Sequence, residues 1–194
     1  MATRTMPGDV WLDGDAGTRD PFDLARFVVA QEGAYGSYAD ALAEMRAGRK
    51  ETHWIWYVFP QLRELGTSRM SRRYGISGLD EAVAYLSHPL LGQRLVEVSQ
   101  AALGSGAGDP LSLMSSQVDA AKLRASMTLF SAAAGEACRG SAGSEPPVPA
   151  GAEQVFDQVL ERLFAGERDP ITLLLLGERG QPAAYRPGSL SVDR

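Results

Sequence analysis

Residues 117–136 read QVDAAKLRASMTLFSAAAGE, and their spacing decides the class of fold. Leu123, Met127, Phe130 and Ala134 fall at i, i+4, i+7 and i+11, which lays one apolar stripe along an α-helix. This stretch predicts the longest helix of the chain.

Helical signals recur on both sides of it. Asp20-Pro21-Phe22-Asp23 opens a first helix: Asp20 caps free amides, Pro21 fits the first helical position, and Asp23 suits the positive end of the dipole. Leu24, Phe27, Val28 and Gln31 follow at helical spacing. Ser37-x-x-Asp40 resembles a capping box for a second helix with Tyr38, Leu42 and Met45 on its apolar face, stopped at Gly48. Asp80 to Leu86 reads as a short helix broken at His88-Pro89, because a proline disfavours helix at the residue before it. A helix from Pro89 to Gly104 carries Leu91, Leu95, Val98 and Ala102, and a loop from Gly104 to Asp109 follows. Beyond the long helix, Gly140 to Gly151 is a Gly/Ser/Pro-rich flexible loop. Ala152 to Phe164 is helical with Val155, Val159 and Leu163 inward, and Asp169-Pro170 repeats the opening signal before Ile171 to Leu176.

The expected fold is all-α: a single compact domain of six to seven helices over residues 20–178, with an aromatic connecting segment. Residues 1–19 and 179–194 lack periodicity and are expected to be disordered tails.

Composition removes several function classes. A net charge of -5 disfavours nucleic acid or an acidic membrane surface as a general partner. Cys138 is the only cysteine, which excludes an intrachain disulfide and a thiolate zinc site. It lies among small residues and reads as a buried bystander. With only His53 and His88 besides, neither a metal nor a cofactor is expected. No run of 18 apolar residues and no N-terminal leader pattern occurs, so the expected location is cytoplasmic. Oligomeric state leaves no trace in the sequence.

Three segments can carry chemistry. The first is Thr52 to Gln61, which holds Trp54, Trp56 and His53. Its length leaves helix and strand both open, but His53, Tyr57 and Gln61 are four apart, so in either case an imidazole and a phenol share a face. Aromatic walls with polar groups suit a nucleobase or nicotinamide ring; the competing reading makes Trp54, Trp56 and Phe59 core, with His53 at its edge. The second is Ser68 with Arg69, Arg72, Arg73 and Tyr74, where guanidinium groups beside a Gly/Ser turn suit phosphate, or else form a solvated loop. The third is Asp119, Lys122 and Ser126, at i, i+3 and i+7 beside the apolar stripe of the long helix. They can position a phosphate and a water, or be no more than an exposed helical pair.

Read together, the residues carry a family resemblance. Phe27 with Ala30-Gln31, Tyr38 to Glu44, Gly48-x-Lys50 and above all His53-Trp54-x-Trp56-Tyr57-x-Phe59-Pro60-Gln61 resemble the DUF1810 family. So do Gly66-x-Ser68, Tyr74-x-Ile76, His88-Pro89-x-Leu91, Lys122 to Phe130, Phe164-x-Gly166 and Asp169-x-x-Thr172-Leu173. The resemblance spans about residues 20–178 and implies a small helical protein of largely uncharacterised function. Some members carry a calpastatin label, whereas this chain reads as folded. Met114-Ser115-Ser116 departs from the family pattern, which commonly has an apolar pair and a glycine before the aspartate and lysine of the long helix. A shorter likeness, from Phe27-x-x-Ala30-Gln31 through an Ala-rich helix to a tryptophan, is similar to NADAR-type N-glycosidases.

Two functions follow as expectations. One is an enzyme on a nucleotide-like or ribosylated small molecule, with hydrolysis of an N-glycosidic bond as its sharpest form. Trp54 or Trp56 would then stack the base, the arginines or Lys122 hold phosphate, and Asp119 or Asp169 stabilise developing positive charge, with His53 or Tyr57 as proton donor. The other is a non-catalytic ligand- or protein-binding module.

Overall fold

The central element is the long helix, extended at its C-terminal end to Gly140. The computed structural model describes residues 20–141 and 147–179. In chain order its helices are α1 (Ala25–Gln31), α2 (Tyr38–Arg46), α3 (Ile55–Val58), α4 (Arg69–Tyr74), α5 (Leu79–Ser87), α6 (Leu91–Gly104), α7 (Pro110–Met114), α8 (Gln117–Gly140), α9 (Ala152–Phe164) and α10 (Pro170–Arg179). One 3-10 turn, Arg63–Leu65, joins α3 to α4. No strand occurs among the described residues, so the fold is an all-α single domain.

α8 is buried nearly all round its middle, from Leu123 to Ala134, because α5, α9, α7, α10 and α3 all pack on it. α6 closes the far side against α2, α5 and α9. The expected stripes are the buried ones: Leu91, Leu95, Val98 and Ala102 on α6, and Val155, Val159 and Leu163 on α9. A train of aromatic rings ties the layers together, with centroids 6.0 Å apart for Tyr74 and Phe27, 5.0 Å for Phe27 and Tyr85, 5.2 Å for Tyr85 and Phe130, and 6.2 Å for Phe130 and Phe156. Such tilted and edge-on pairs add to plain area burial.

Several expectations need correction. The helix count is ten, not six to seven, among the described residues. The three extra helices, α3, α4 and α7, span only four to six residues, too few for periodicity to register. The aromatic connecting segment is thus itself a helical turn. α1 starts at Ala25 rather than at Pro21, since Asp23 takes a left-handed φ of 51° that breaks the run. Asp20 nevertheless accepts from the amides of Phe22 and Ala25. Helix α6 begins two residues after Pro89. Cys138 is exposed, just past the buried Ala137, as α8 leaves the core. The Ser37–Asp40 capping box forms in both directions, as its spacing predicts. Of the expected tails, 1–19 and 179–194, Arg179 instead ends α10 and the rest lies outside the described residues, as do 142–146 of the expected loop. Among the described residues no helix is long and apolar enough to cross a membrane.

Candidate functional site

Glu44 organises the segment that carries the two described tryptophans. Its carboxylate accepts from the amides of Glu51 and Thr52, the Thr52 hydroxyl and Trp54 Nε1, the last at 2.7 Å. Trp54 is thereby locked into the core, while Trp56, two residues on, is only partly covered. Beyond α3 the chain is pinned again by an isolated parallel bridge: Ile76 N donates to Gln61 O and Arg63 N to Ile76 O, both at 2.9 Å. This bridge fixes Gln61 and the Gly66–Ser71 turn beside α8.

A cleft of about 520 Å³ opens between these segments. Trp56, Gln61, Leu65, Gly66, Thr67, Ser68 and Ser71 line it, with Gln61 Nε2 close beside Gly66. The floor is α8, where Val118, Ala121, Lys122 and Ala125 follow at i, i+3, i+4 and i+7, the face next to the buried stripe. Asp169 and Ile171 close the end. The volume falls in the usual range for small-molecule sites, about 300–1,000 Å³.

Lys122 is held in place from two sides. Its Nζ donates to Asp119 Oδ1 at 2.8 Å and lies 4.7 Å from the centroid of the Trp56 ring. Asp119 Oδ2 meets a second ammonium, Lys50 Nζ, at 2.9 Å. Burial alone would raise the Asp119 carboxyl, but hydrogen bonds and charge from Lys122 and Lys50 outweigh it and hold the group below its ordinary value. Ser116 caps α8 by accepting from Asp119 N at 3.0 Å, and Ser115 Oγ donates to Lys50 O at 2.7 Å. The Ser115–Ser116 pair therefore builds the loop that joins Lys50 to Asp119.

At the other end, Asp169 caps α10. Its Oδ1 accepts from the amide and hydroxyl of Thr172, both at 2.7 Å, and its Oδ2 lies 3.9 Å from Arg124. Thr128 Oγ1 accepts from Asp169 N at 2.9 Å, which anchors the cap to α8.

Of the residues selected from sequence, the fold gathers Trp56, Gln61, Ser68, Lys122 and Asp169 around the cleft. Asp119 stands behind Lys122. The others lie elsewhere. The shared face expected for His53, Tyr57 and Gln61 does not form: His53 precedes α3 and is exposed, while Tyr57 is buried. Tyr57 Oη donates to Gly36 O at 2.7 Å, and burial pushes the phenol up to about 12. Trp54 is core. Arg69, Arg72 and Arg73 project from α4 into solvent, and Tyr74 is buried against Tyr57 and Phe27. Ser126 is fully buried one turn beyond Lys122, and its hydroxyl has no hydrogen-bond partner among the described residues.

Lys50 has no role that spacing alone assigns. Its signal was available nonetheless: among 19 basic residues, Lys50 and Lys122 are the only lysines, and the fold brings both to one carboxylate.

Comparison with known proteins matches this arrangement to a family without an assigned activity. No curated protein matches the chain. The crystal structure of the conserved hypothetical protein Rv1873 from Mycobacterium tuberculosis is similar at 41% identity, covering 81% of this chain and 99% of that one with a TM-score of 0.68. The sequence profile of a protein family of unknown function, DUF1810, matches residues 21–143, which carry the aromatic segment, both lysines and Asp119. The chain belongs to the DUF1810 family.

Proposed function

We propose that the cleft binds a nucleotide-like or ribosylated small molecule, and that the protein acts on it by hydrolysing an N-glycosidic bond. One observation carries the reading: five polar or aromatic residues from separate segments, Trp56, Gln61, Ser68, Lys122 and Asp169, line a single cleft of nucleotide size. Leu65, Val118, Ala121 and Ile171 supply an apolar surface for a planar ring. Lys122 supplies a cation, and Gln61 and Ser68 supply donors and acceptors for ribose hydroxyls.

Asp169 is the one carboxylate among the described lining residues. In the proposed step, water oxygen bonds to the anomeric carbon as the bond to the base nitrogen breaks. The water proton passes to the departing base, and Asp169 stabilises the positive charge that develops on the sugar. What suggests this reaction is the short sequence resemblance, Phe27-x-x-Ala30-Gln31 through an Ala-rich helix to a tryptophan, to NADAR-type N-glycosidases.

A second reading is a non-catalytic binding module. It is favoured by the engagement of the other acid–base groups: Asp119 is neutralised between two lysines, and the Tyr57 hydroxyl is tied to Gly36.

The test is a thermal-shift panel of nucleosides, nucleotides, NAD, ADP-ribose and sugar phosphates, followed by chromatography of the ligand that shifts. A shift lost in Trp56→Ala and Lys122→Ala, with free base released, supports the enzyme. The same shift with intact ligand supports the module. A shift that survives both substitutions rules out this cleft.

A further inference from the structure

The Lys122 ammonium that reaches the cleft is one end of a three-residue chain whose other end is buried. Lys50 is 6% exposed and does not line the cleft. Its Nζ donates to Thr52 O at 2.7 Å, meets Asp119 Oδ2 at 2.9 Å and stands 5.2 Å from the Trp54 ring. Lys122 meets the other oxygen of the same carboxylate. An isolated Asp119–Lys122 pair would be neutral, and its ammonium would have little pull on an anion. A second lysine on Asp119 changes the sum: two positive charges share one negative, and one positive charge is left over. Glu44, the other carboxylate at this loop, keeps its own negative charge, but it pairs with neither lysine among the described residues and does not line the cleft; backbone amides, the Thr52 hydroxyl and the Trp54 indole bond its oxygens.

Burial decides where the excess charge acts. Lys50 is sealed off with its ammonium engaged by Thr52 and Asp119. Among the described residues Lys122 has one hydrogen bond, to Asp119, and it lines the cleft with its ammonium over the Trp56 ring. Low-dielectric surroundings strengthen such an interaction relative to water.

We propose that Lys50 is a positioning residue that keeps Lys122 effectively cationic, and that the cleft therefore selects ligands bearing a phosphate or comparable anion at the Lys122 end. This rests on the reading of the cleft as a nucleotide-like site and narrows it to phosphorylated rather than neutral members of that class.

The experiment is calorimetric titration of the full chain with adenosine and with AMP at low salt. In wild type AMP binds tighter by about tenfold or more, the size of one charge-assisted hydrogen bond. Lys50→Gln retains a donor for Thr52 and Asp119 but removes the charge. It brings the AMP-to-adenosine ratio close to one while adenosine affinity stays, and Lys50→Arg restores the ratio. A purely structural role would weaken both ligands alike, and that result overturns the proposal. Equal wild-type affinity for the two ligands also overturns it while leaving the cleft reading intact. Silence for both ligands in wild type overturns the cleft reading and this inference with it. Should Lys50→Gln fail to fold, salt decides on wild type alone: about 0.5 M salt must weaken AMP selectively, and an unchanged ratio overturns the proposal.

Discussion

Lys50 Nζ lies 2.9 Å from Asp119 Oδ2 with side-chain exposures of 6% and 16%, so an ion pair formed across 69 positions of sequence is almost sealed from solvent. The pair joins the segment after α2 to the first turn of α8. Removing its acid leaves Lys50 buried without a counter-charge, a change that costs about 3–5 kcal/mol for buried pairs. Asp119→Ala is therefore expected to lower the urea midpoint strongly, whereas a surface pair such as Arg46–Glu97 is expected to matter little when cut. The sign of the pH effect follows from the depressed folded-state value. The contribution is present above the ordinary carboxyl value of 3.8 and is lost as pH falls through the lower folded value. Asp119→Asn should show a smaller loss of stability than wild type over that acid range.

A second pH effect belongs to His88, at the break between α5 and α6. Its Nδ1 accepts from the amides of Leu90 and Leu91 at 3.2 and 3.3 Å, so the neutral ring caps the turn into α6. Burial holds the imidazole below its ordinary 6.5, against smaller opposing contributions from Asp20 and the local backbone. A lowered histidine contributes stability above 6.5 and loses it as pH falls through the folded value. His88→Asn supplies a non-titrating acceptor at the same place. Thermal unfolding between pH 7 and 5 is expected to show a decline in wild type that is diminished in this variant.

How much of this was legible in sequence depends on range. The Ser37–Asp40 box, α9 and the α8 stripe are local patterns, and each stands where its spacing puts it. Trp56 and Lys122 were separately visible as chemistry-bearing residues, but nothing in either segment says that the ammonium would stand 4.7 Å from that ring. His53 and Tyr57 illustrate the opposite failure. Equal spacing implies a shared face only inside one regular element, and α3 begins after His53. The arginines of α4 were conspicuous because they are charged, yet a six-residue helix with Ser71 and Tyr74 inward turns them outward. Lys50 was the hardest to see, since it lies in the loop after α2 and its partner is 69 positions away on α8.

Gly66 tests whether the cleft wall is as close-packed as it looks. A Cβ there would fall 2.4 Å from Ser71 Cβ and 2.5 Å from Ser71 Oγ, closer than nonbonded atoms approach. Gly66→Ala must push α4 away from the turn and is expected to destabilise by about 1–3 kcal/mol, the usual range for overpacking. Ser71→Gly carries its own helix cost of about 1 kcal/mol but removes the clashing atoms. The double variant should therefore be more stable than the two single losses added together. Additive losses in chemical unfolding would place the strain elsewhere in the turn.

Ser126 separates a polar residue that is merely buried from one that is bonded. Its hydroxyl is completely covered, and no hydrogen-bond partner for it occurs among the described residues. A buried hydroxyl without a partner has lost its hydration with no return, and removing it relieves that penalty. Thr128, half a turn away, differs: its hydroxyl donates to Arg124 O at 2.8 Å and accepts from Asp169 N at 2.9 Å. Ser126→Ala is expected to leave stability unchanged or raise it by up to about 1 kcal/mol, while Thr128→Val should cost about 1–3 kcal/mol by orphaning the Asp169 amide. Urea unfolding of the two variants side by side checks the contrast. A Ser126→Ala loss as large as that of Thr128→Val would mean that the Ser126 hydroxyl is bonded in solution.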